Sequence, residues 1–271
     1  MNDDTIKNAG VAIVTGATGG IGSATARQLA EAGWTDLLLC DVDPARLEAM
    51  AIPLRERGAT VTVLAGDIAD PAFPGLLLQR LDERPLGALV HTAGLSPRMA
   101  PPERILDVNL DATVRLVNAV REHMAEGTAA VLIASNSSYF PLPPDAMAAF
   151  EQPLPPGGTA SLRHFAPTPE LAYPLSKLGV RALVKQQAKA FGQRGARIVS
   201  ISPGAIDTPM VRLEMEQSDG VARMIERAAI ARLGKAEEIA AVAAFLCSPA
   251  ASLVTACDML VDGGQTAGLG F

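Results

Sequence analysis

Near its start the chain reads VAIVT from Val11 to Thr15, then GATGGIG from Gly16 to Gly22, then a run of helix-forming residues that stops at Gly33. A short apolar segment of this kind is a strand buried on both faces, and the residues after the turn have the composition of a helix closed by glycine. Gly16, Gly20 and Gly22 let the backbone turn sharply, approach a ligand closely and seat the helix against the strand. The first turn of such a helix offers unbonded N–H groups and the positive end of its dipole, a geometry suited to a pyrophosphate. Taken alone, an ordinary strand-to-helix turn accounts for the glycines equally well.

The alternation continues downstream. Leu37, Leu38, Leu39 and Cys40 form a second apolar run that ends at Asp41, Val42, Asp43 and Pro44. TVTVLA (60–65), GALVHT (87–92), TAAVLIAS (128–135), ARIVSIS (196–202) and Asp258–Val261 read as the third to seventh strands. Helices are expected at 45–57, in the segment interrupted at Pro74, at 103–124 and at 175–191. The third carries Ile105, Val108, Val114, Leu116, Val117 and Val120 on one face. This order predicts one α/β domain over 1–271, a parallel sheet covered by helices on both faces. Asp41 falls about 20 residues beyond the glycine turn, where a carboxylate accepts hydrogen bonds from ribose hydroxyls and repels a 2′-phosphate, which favours NAD over NADP. Asp43 is the better cap for the helix that follows, leaving Asp41 free.

Composition removes several classes of function. Net charge is −6, with no basic clusters, so no nucleic-acid partner is expected. Cys40, Cys247 and Cys257 lack paired spacing, and His123 and His164 lack companions at ligand spacing, so neither a disulfide framework nor a metal site is expected. A reducing cytoplasm fits these thiols. The start MNDDTIKNAG has no signal-peptide character and no segment reaches about 18 apolar residues, so neither export nor a membrane span is expected.

One stretch, 138–172, breaks the rhythm. It holds Pro141, Pro143, Pro144, Pro153, Pro155, Pro156, Pro167 and Pro169, with Gly157 and Gly158 in its middle and apolar residues such as Phe150, Leu162 and Phe165. A linker or passive insertion is one reading; an active-site flap is the expectation, because long unstructured loops inside compact domains are usually functional. Just beyond it, Tyr173 and Lys177 in YPLSK stand one helical turn apart on one face. Tyrosine is a poor acid or base near its reference pKa of about 10, but an adjacent ammonium favours the phenolate. A plain surface pair would have the same spacing.

Five motifs in order, TGATGGIG (15–22), HTAG (91–94), Asn109 within VNLDAT, YPLSK (173–177) and PGAIDTP (203–209), make the chain resemble the short-chain dehydrogenase/reductase family over nearly its whole length. Within it, SPAASLV, LVDGG and the long insertion look most similar to bacterial 3α-hydroxysteroid dehydrogenase/carbonyl reductases. The resemblance implies a doubly wound (Rossmann) seven-stranded parallel sheet and NAD as cofactor. Contacts to it are implied for Gly16, Thr18, Gly20, Ile21, Gly22, Asp41, Asp67, Ile68, Ala93, Gly94, Tyr173, Lys177, Pro203, Gly204, Ile206 and Thr208. Tyr173 is the implied proton donor or acceptor. Lys177 would lower its pKa, Ser135 would hold the substrate oxygen, and Asn109 would position a water behind the lysine.

Two positions depart from the family. His91 stands where asparagine is usual and reads as a structural substitute rather than a catalyst. The spacing from Ser135 to Tyr173 is unusually long, which keeps Ser137 as the reserve serine. Met210, Leu213 and Met215 are either core or adaptable pocket contacts. The implied activity is NAD(H)-dependent interconversion of a secondary alcohol and a ketone, on a bulky hydrophobic substrate such as a steroid or an alicyclic or aromatic alcohol. The implied assembly is a homo-oligomer, tetramer or dimer, with the helices near Glu103 and Leu175 able to pair. Two alternatives stand beside it: an NADPH-dependent 3-ketoacyl carrier-protein reductase and a non-enzymatic dinucleotide sensor.

Overall fold

The computed structural model describes residues 10–154 and 157–271, which leaves Pro155, Pro156 and the segment 1–9 outside the described residues. Successive side chains of a strand point to opposite faces, so in β1 (Val11–Thr15) Val11 and Ile13 join one apolar layer while Ala12 and Val14 join the other. β2 (Asp36–Asp41) and β4 (Leu86–His91) flank it in parallel, with Ile13 between Leu38 and Leu89. β3 (Thr60–Ala65) lies outside β2, and β5 (Ala129–Ile133), β6 (Arg197–Pro203) and β7 (Asp258–Val261) continue beyond β4. The order β3-β2-β1-β4-β5-β6-β7 is that of the expected doubly wound seven-stranded sheet. Connections leaving the carboxyl ends of β1 and β4 diverge, and a crevice opens between them.

α1 (Gly20–Glu31), α2 (Pro44–Glu56) and α10 (Ala236–Cys247) cover one face, burying Leu29, Leu47 and Ile239. The other is covered by α3 (Phe73–Leu81), α4 (Pro102–Leu106), α5 (Ala112–Arg121) and α7 (Pro169–Gly192). A single π turn, Asp107–Asp111, joins α4 to α5. The expected helix at 103–124 is therefore present but carries an irregularity that hydrophobic periodicity does not encode. α6 (Pro144–Ala148), α8 (Pro209–Gln217), α9 (Gly220–Glu226) and α11 (Gln265–Gly268) are short additions at the periphery. Among the described residues no helix is long and apolar enough to cross a membrane.

Pro74 does not interrupt its segment: like Pro169, it sits in the first turn of a helix, where a missing N–H removes no intrahelical bond. The helix expected from Leu175 thus begins at Pro169, and Tyr173 lies in its second turn. The described residues of the stretch 138–172 are ordered against the helices. Phe150 and Leu162 join the apolar layer that contains Leu110 and Val180. Thr159 Oγ1 donates to the buried Asp111 at 2.5 Å, and Gln186 Nε2 donates to the Phe150 carbonyl at 2.9 Å. The insertion found its burial on the helical layer, and none of its described residues lines the crevice.

Candidate active site

The crevice is a cavity of about 510 Å³ at the carboxyl ends of the strands, walled by the glycine turn, α7 and the start of α8. Gly16 adopts φ +66°, in the left-handed region, and a Cβ there would lie 2.6 Å from the Ala93 nitrogen. No side chain caps α1, so the first-turn N–H groups of Gly20 and Ile21 face the cavity without intrahelical partners. This bare helix terminus fits a pyrophosphate.

Asp41 is fastened to the same turn. Thr18 N and Oγ1 donate to its Oδ2 at 2.9 and 2.8 Å, and Val42 N donates to Oδ1 at 2.7 Å. A carboxylate accepts about four hydrogen bonds, so one site is left for a ligand hydroxyl. Asp43 caps α2 as expected, accepting from Ala45 N and Arg46 N at 3.0 Å each. Two cationic cavity residues escaped the sequence reading. Arg46 donates to the Thr18 carbonyl at 2.8 Å, and Arg104 pairs with Asp67. Partial burial opposes ionisation of Asp67, but the Ala69 N–H and Arg104 outweigh it and hold its carboxyl below the usual range. No motif marks either arginine.

At the other end Ser135, Tyr173 and Lys177 line the cavity together. Ser135 Oγ accepts from Ser137 N at 3.2 Å and from Ser137 Oγ at 3.0 Å. Of the two serines, Ser135 therefore faces the cavity and Ser137 stands behind it as a donor. Lys177 Nζ is buried, donates to the Ile133 carbonyl at 2.9 Å and lies 5.8 Å from the Tyr173 ring centroid. Desolvation lowers its pKa to about 8. Enclosure raises the pKa of Tyr173; a hydrogen bond with Ser135 opposes that rise and the charge of Glu214 adds to it. Burial, not Lys177, sets the direction of the Tyr173 shift in the polypeptide by itself.

Asn109, unlike Ser135, Tyr173 and Lys177, does not line the cavity. Held in the π turn, it accepts from Leu95 N at 2.8 Å through Oδ1, and its Nδ2 donates to the Leu95 carbonyl at 2.9 Å and to Ser176 Oγ at 3.2 Å. Gly94 lets these groups converge, since a Cβ there would sit 3.2 Å from Asn109 Oδ1 and 3.3 Å from Lys177 Nζ. The other expected positions, Gly22, Ile68, Ala93, Pro203, Gly204, Ile206 and Thr208, all line the wall. Met210 and Leu213 do so as well, whereas Met215 does not.

His91 is a structural connector. Thr113 Oγ1 donates its one hydrogen to the Asn109 carbonyl at 2.8 Å, so it accepts from His91 Nε2 at 2.9 Å, and His91 Nδ1 accepts from Thr15 Oγ1 at 2.7 Å. The neutral ring thus ties β1 and β4 to the π turn. Burial, then Lys177, lower its pKa from 6.5 to about 3. Between these values the unfolded chain binds the extra proton, so this contribution to stability is lost as pH falls through the window. We expect the melting temperature to fall more steeply on acidification from pH 6.5 in the parent protein than in His91→Asn; equal slopes would reject the connector's titration.

A phosphate-binding backbone at one end and an enclosed phenol beside an ammonium at the other put the crevice in the class of dinucleotide-dependent oxidoreductases. Residues 10–148 match the family model described as short chain dehydrogenase, and residues 159–266 one described as enoyl-(acyl carrier protein) reductase. Cis-4-hydroxycyclohexanecarboxylate dehydrogenase of Sinomonas cyclohexanicum is 31% identical, covering 95% of this chain and 96% of its own. Galactitol 2-dehydrogenase of Rhizobium johnstonii is 29% identical over 94% of each chain. A blue fluorescent protein from a metagenomic library, solved in complex with NADPH, has TM-score 0.75 and 25% identity over 94% of this chain and 97% of that one. The chain belongs to the short-chain dehydrogenase/reductase family and is an oxidoreductase of the nicotinamide-dinucleotide-binding kind.

Proposed function

We propose that the protein interconverts a secondary alcohol and a ketone with NAD(H), on a bulky hydrophobic substrate such as a steroid or an alicyclic or aromatic alcohol. The observation that carries this reading is the convergence of Tyr173, Ser135 and Lys177 in a cavity also lined by Leu95, Met99, Met210 and Leu213. The dinucleotide, when bound, supplies or accepts the hydride. Tyr173 donates its hydroxyl proton to the ketone oxygen in reduction and takes a proton from the alcohol in oxidation. Ser135, with both acceptor sites taken by Ser137, has one O–H to give; Tyr173 receives it here, and a substrate oxygen seated between the two hydroxyls would take it instead, so that charge developing there is stabilised. Lys177, with a pKa of about 8, carries its charge at neutral pH beside the phenol. Asn109 holds the loop after β4 beneath it.

A screen of alcohols and ketones, followed by nicotinamide absorbance, tests the reading. Fastest turnover on small polar alcohols would remove the hydrophobic substrate. The names of the two relatives, one alicyclic and one an open-chain polyol, make both arms of that screen necessary.

A second reading, use of NADP(H), is favoured by Arg46, bonded to the Thr18 that holds Asp41, by Arg104 in the same cavity, and by the NADPH-bound neighbour. It is the cofactor that a 3-ketoacyl carrier-protein reductase would use. Asp41→Ala is expected to move the ratio of kcat/KM for NADH over NADPH by about tenfold toward NADPH, the scale of removing one charge-assisted hydrogen bond. An unchanged ratio would free Asp41 from cofactor selection. A non-enzymatic sensor has no need of the enclosed Tyr173 and Lys177. The homo-oligomer, tetramer or dimer, belongs to the same proposal and is read by sedimentation.

A further inference from the structure

One carboxylate beside the cavity contacts neither the cofactor wall nor the reacting groups and has been given no role above beyond its charge. Glu214 lies on α8, one residue after Leu213, and its side chain is 20% exposed. Ser96, only 3% exposed, donates from Oγ to Glu214 Oε1 at 2.7 Å. Arg98 N donates to the same oxygen at 3.2 Å, and Arg98 Nε stands 3.6 Å from Oε2. Arg98 Nη1 also lies 3.4 Å from Glu170 Oε1, in the first turn of α7. The two sides of this contact each carry lining residues of the cavity: Leu95 and Met99 on the loop after β4, Met210 and Leu213 on α8.

We propose that Glu214 is a positioning residue, a clasp that through Ser96 and Arg98 holds α8 against the loop after β4 and so assembles the apolar wall that receives the substrate. The proposal rests on the reading that this end of the cavity takes the substrate. Two hydrogen bonds and the Arg98 ion pair engage the carboxylate, and Glu214 is not among the residues lining the cavity, so α8 presents Met210 and Leu213 there instead of a charge. After enclosure, the Glu214 charge is what raises the pKa of Tyr173, consistent with a carboxylate close behind the reacting hydroxyl. A hydrogen bond from a nearly buried hydroxyl to a charged acceptor is the strong kind, and its loss leaves an acceptor unpaired.

The test combines hydrogen exchange with steady-state kinetics on the full chain. In Glu214→Ala, amide exchange over 209–217 should speed up by about tenfold, the scale of one charged hydrogen bond. KM for the ketone should rise about tenfold, with kcat and the NADH dissociation constant within about twofold. Ser96→Ala, the milder variant, should move both quantities in the same direction, and the double variant should do no more than Glu214→Ala, because both remove one shared contact. Unchanged exchange over 209–217, an unchanged KM, or lost NADH binding would each overturn the clasp. The exchange measurement needs no turnover, so it fails separately from the reaction itself, which Tyr173→Phe tests.

Discussion

Tyr173→Phe is expected to lower kcat by about 10²–10⁴-fold, the usual contribution of a positioned acid–base group, while NADH affinity stays within about twofold. The substitution keeps the ring, its place in α7 and the Lys177 ammonium 5.8 Å from its centroid. Only the hydroxyl that donates or accepts the proton is removed. The pH dependence has a definite sign. Reduction uses the protonated phenol, whose pKa enclosure raises, so its rate should not fall through the neutral range on account of Tyr173. Oxidation uses the phenolate, so its rate should climb with pH into the alkaline range. Above about pH 8 Lys177 loses its proton, and its help to the phenolate weakens. Wild-type turnover by the phenylalanine variant on a confirmed substrate would remove Tyr173 from the chemistry.

Gly22→Ala is the second large effect. An added Cβ would stand 2.1 Å from the Gly16 carbonyl oxygen and 2.7 Å from Thr92 Oγ1. The first obstacle is backbone and cannot rotate away, so α1 must move outward from the turn it begins. Overpacking of this kind costs about 1–3 kcal/mol, which in a domain of this size lowers the melting temperature by about 2–4 °C per kcal/mol. The displaced helix terminus carries the N–H groups of Gly20 and Ile21, so NADH affinity should fall by at least about 100-fold, the equivalent of two charge-assisted hydrogen bonds. Gly75→Ala is the control: it lies in α3 with no atom within 4 Å of the added carbon and should leave NADH binding unchanged. Equal NADH titrations for both variants would remove the close approach at Gly22 as a requirement for binding.

How the tyrosine and glycine ends meet was partly readable beforehand. Val11–Thr15 and Gly16–Gly22 announce themselves through local rules, an apolar run and positions that tolerate no side chain. Tyr173 and Lys177 needed only helical spacing to be placed on one face. Asp43 was recognisable as a cap because capping is also local, acting through Ala45 and Arg46. Asn109 was identified by its motif, which also set it behind Lys177, but the π turn that holds it was not legible, since it arises from packing. The prolines of 138–172 misled because proline both breaks helices and begins them, and only neighbouring structure decides which.

What the sequence determined by itself, then, is the strand order in time, the apolar alternation, the glycine turn and the tyrosine–lysine pair, all set by interactions within a few residues. What the tertiary structure alone decided are contacts between segments remote in the chain. Thr18 on Asp41, Arg104 on Asp67 and Ser96 on Glu214 each depend on where the sheet brings two connections together. Phe150 and Leu162 of the insertion are buried on the helical layer, where Leu110 and Val180 give them apolar surface to bury. No periodicity along the chain carries that information, because it is a property of two surfaces and the sequence presents them one at a time.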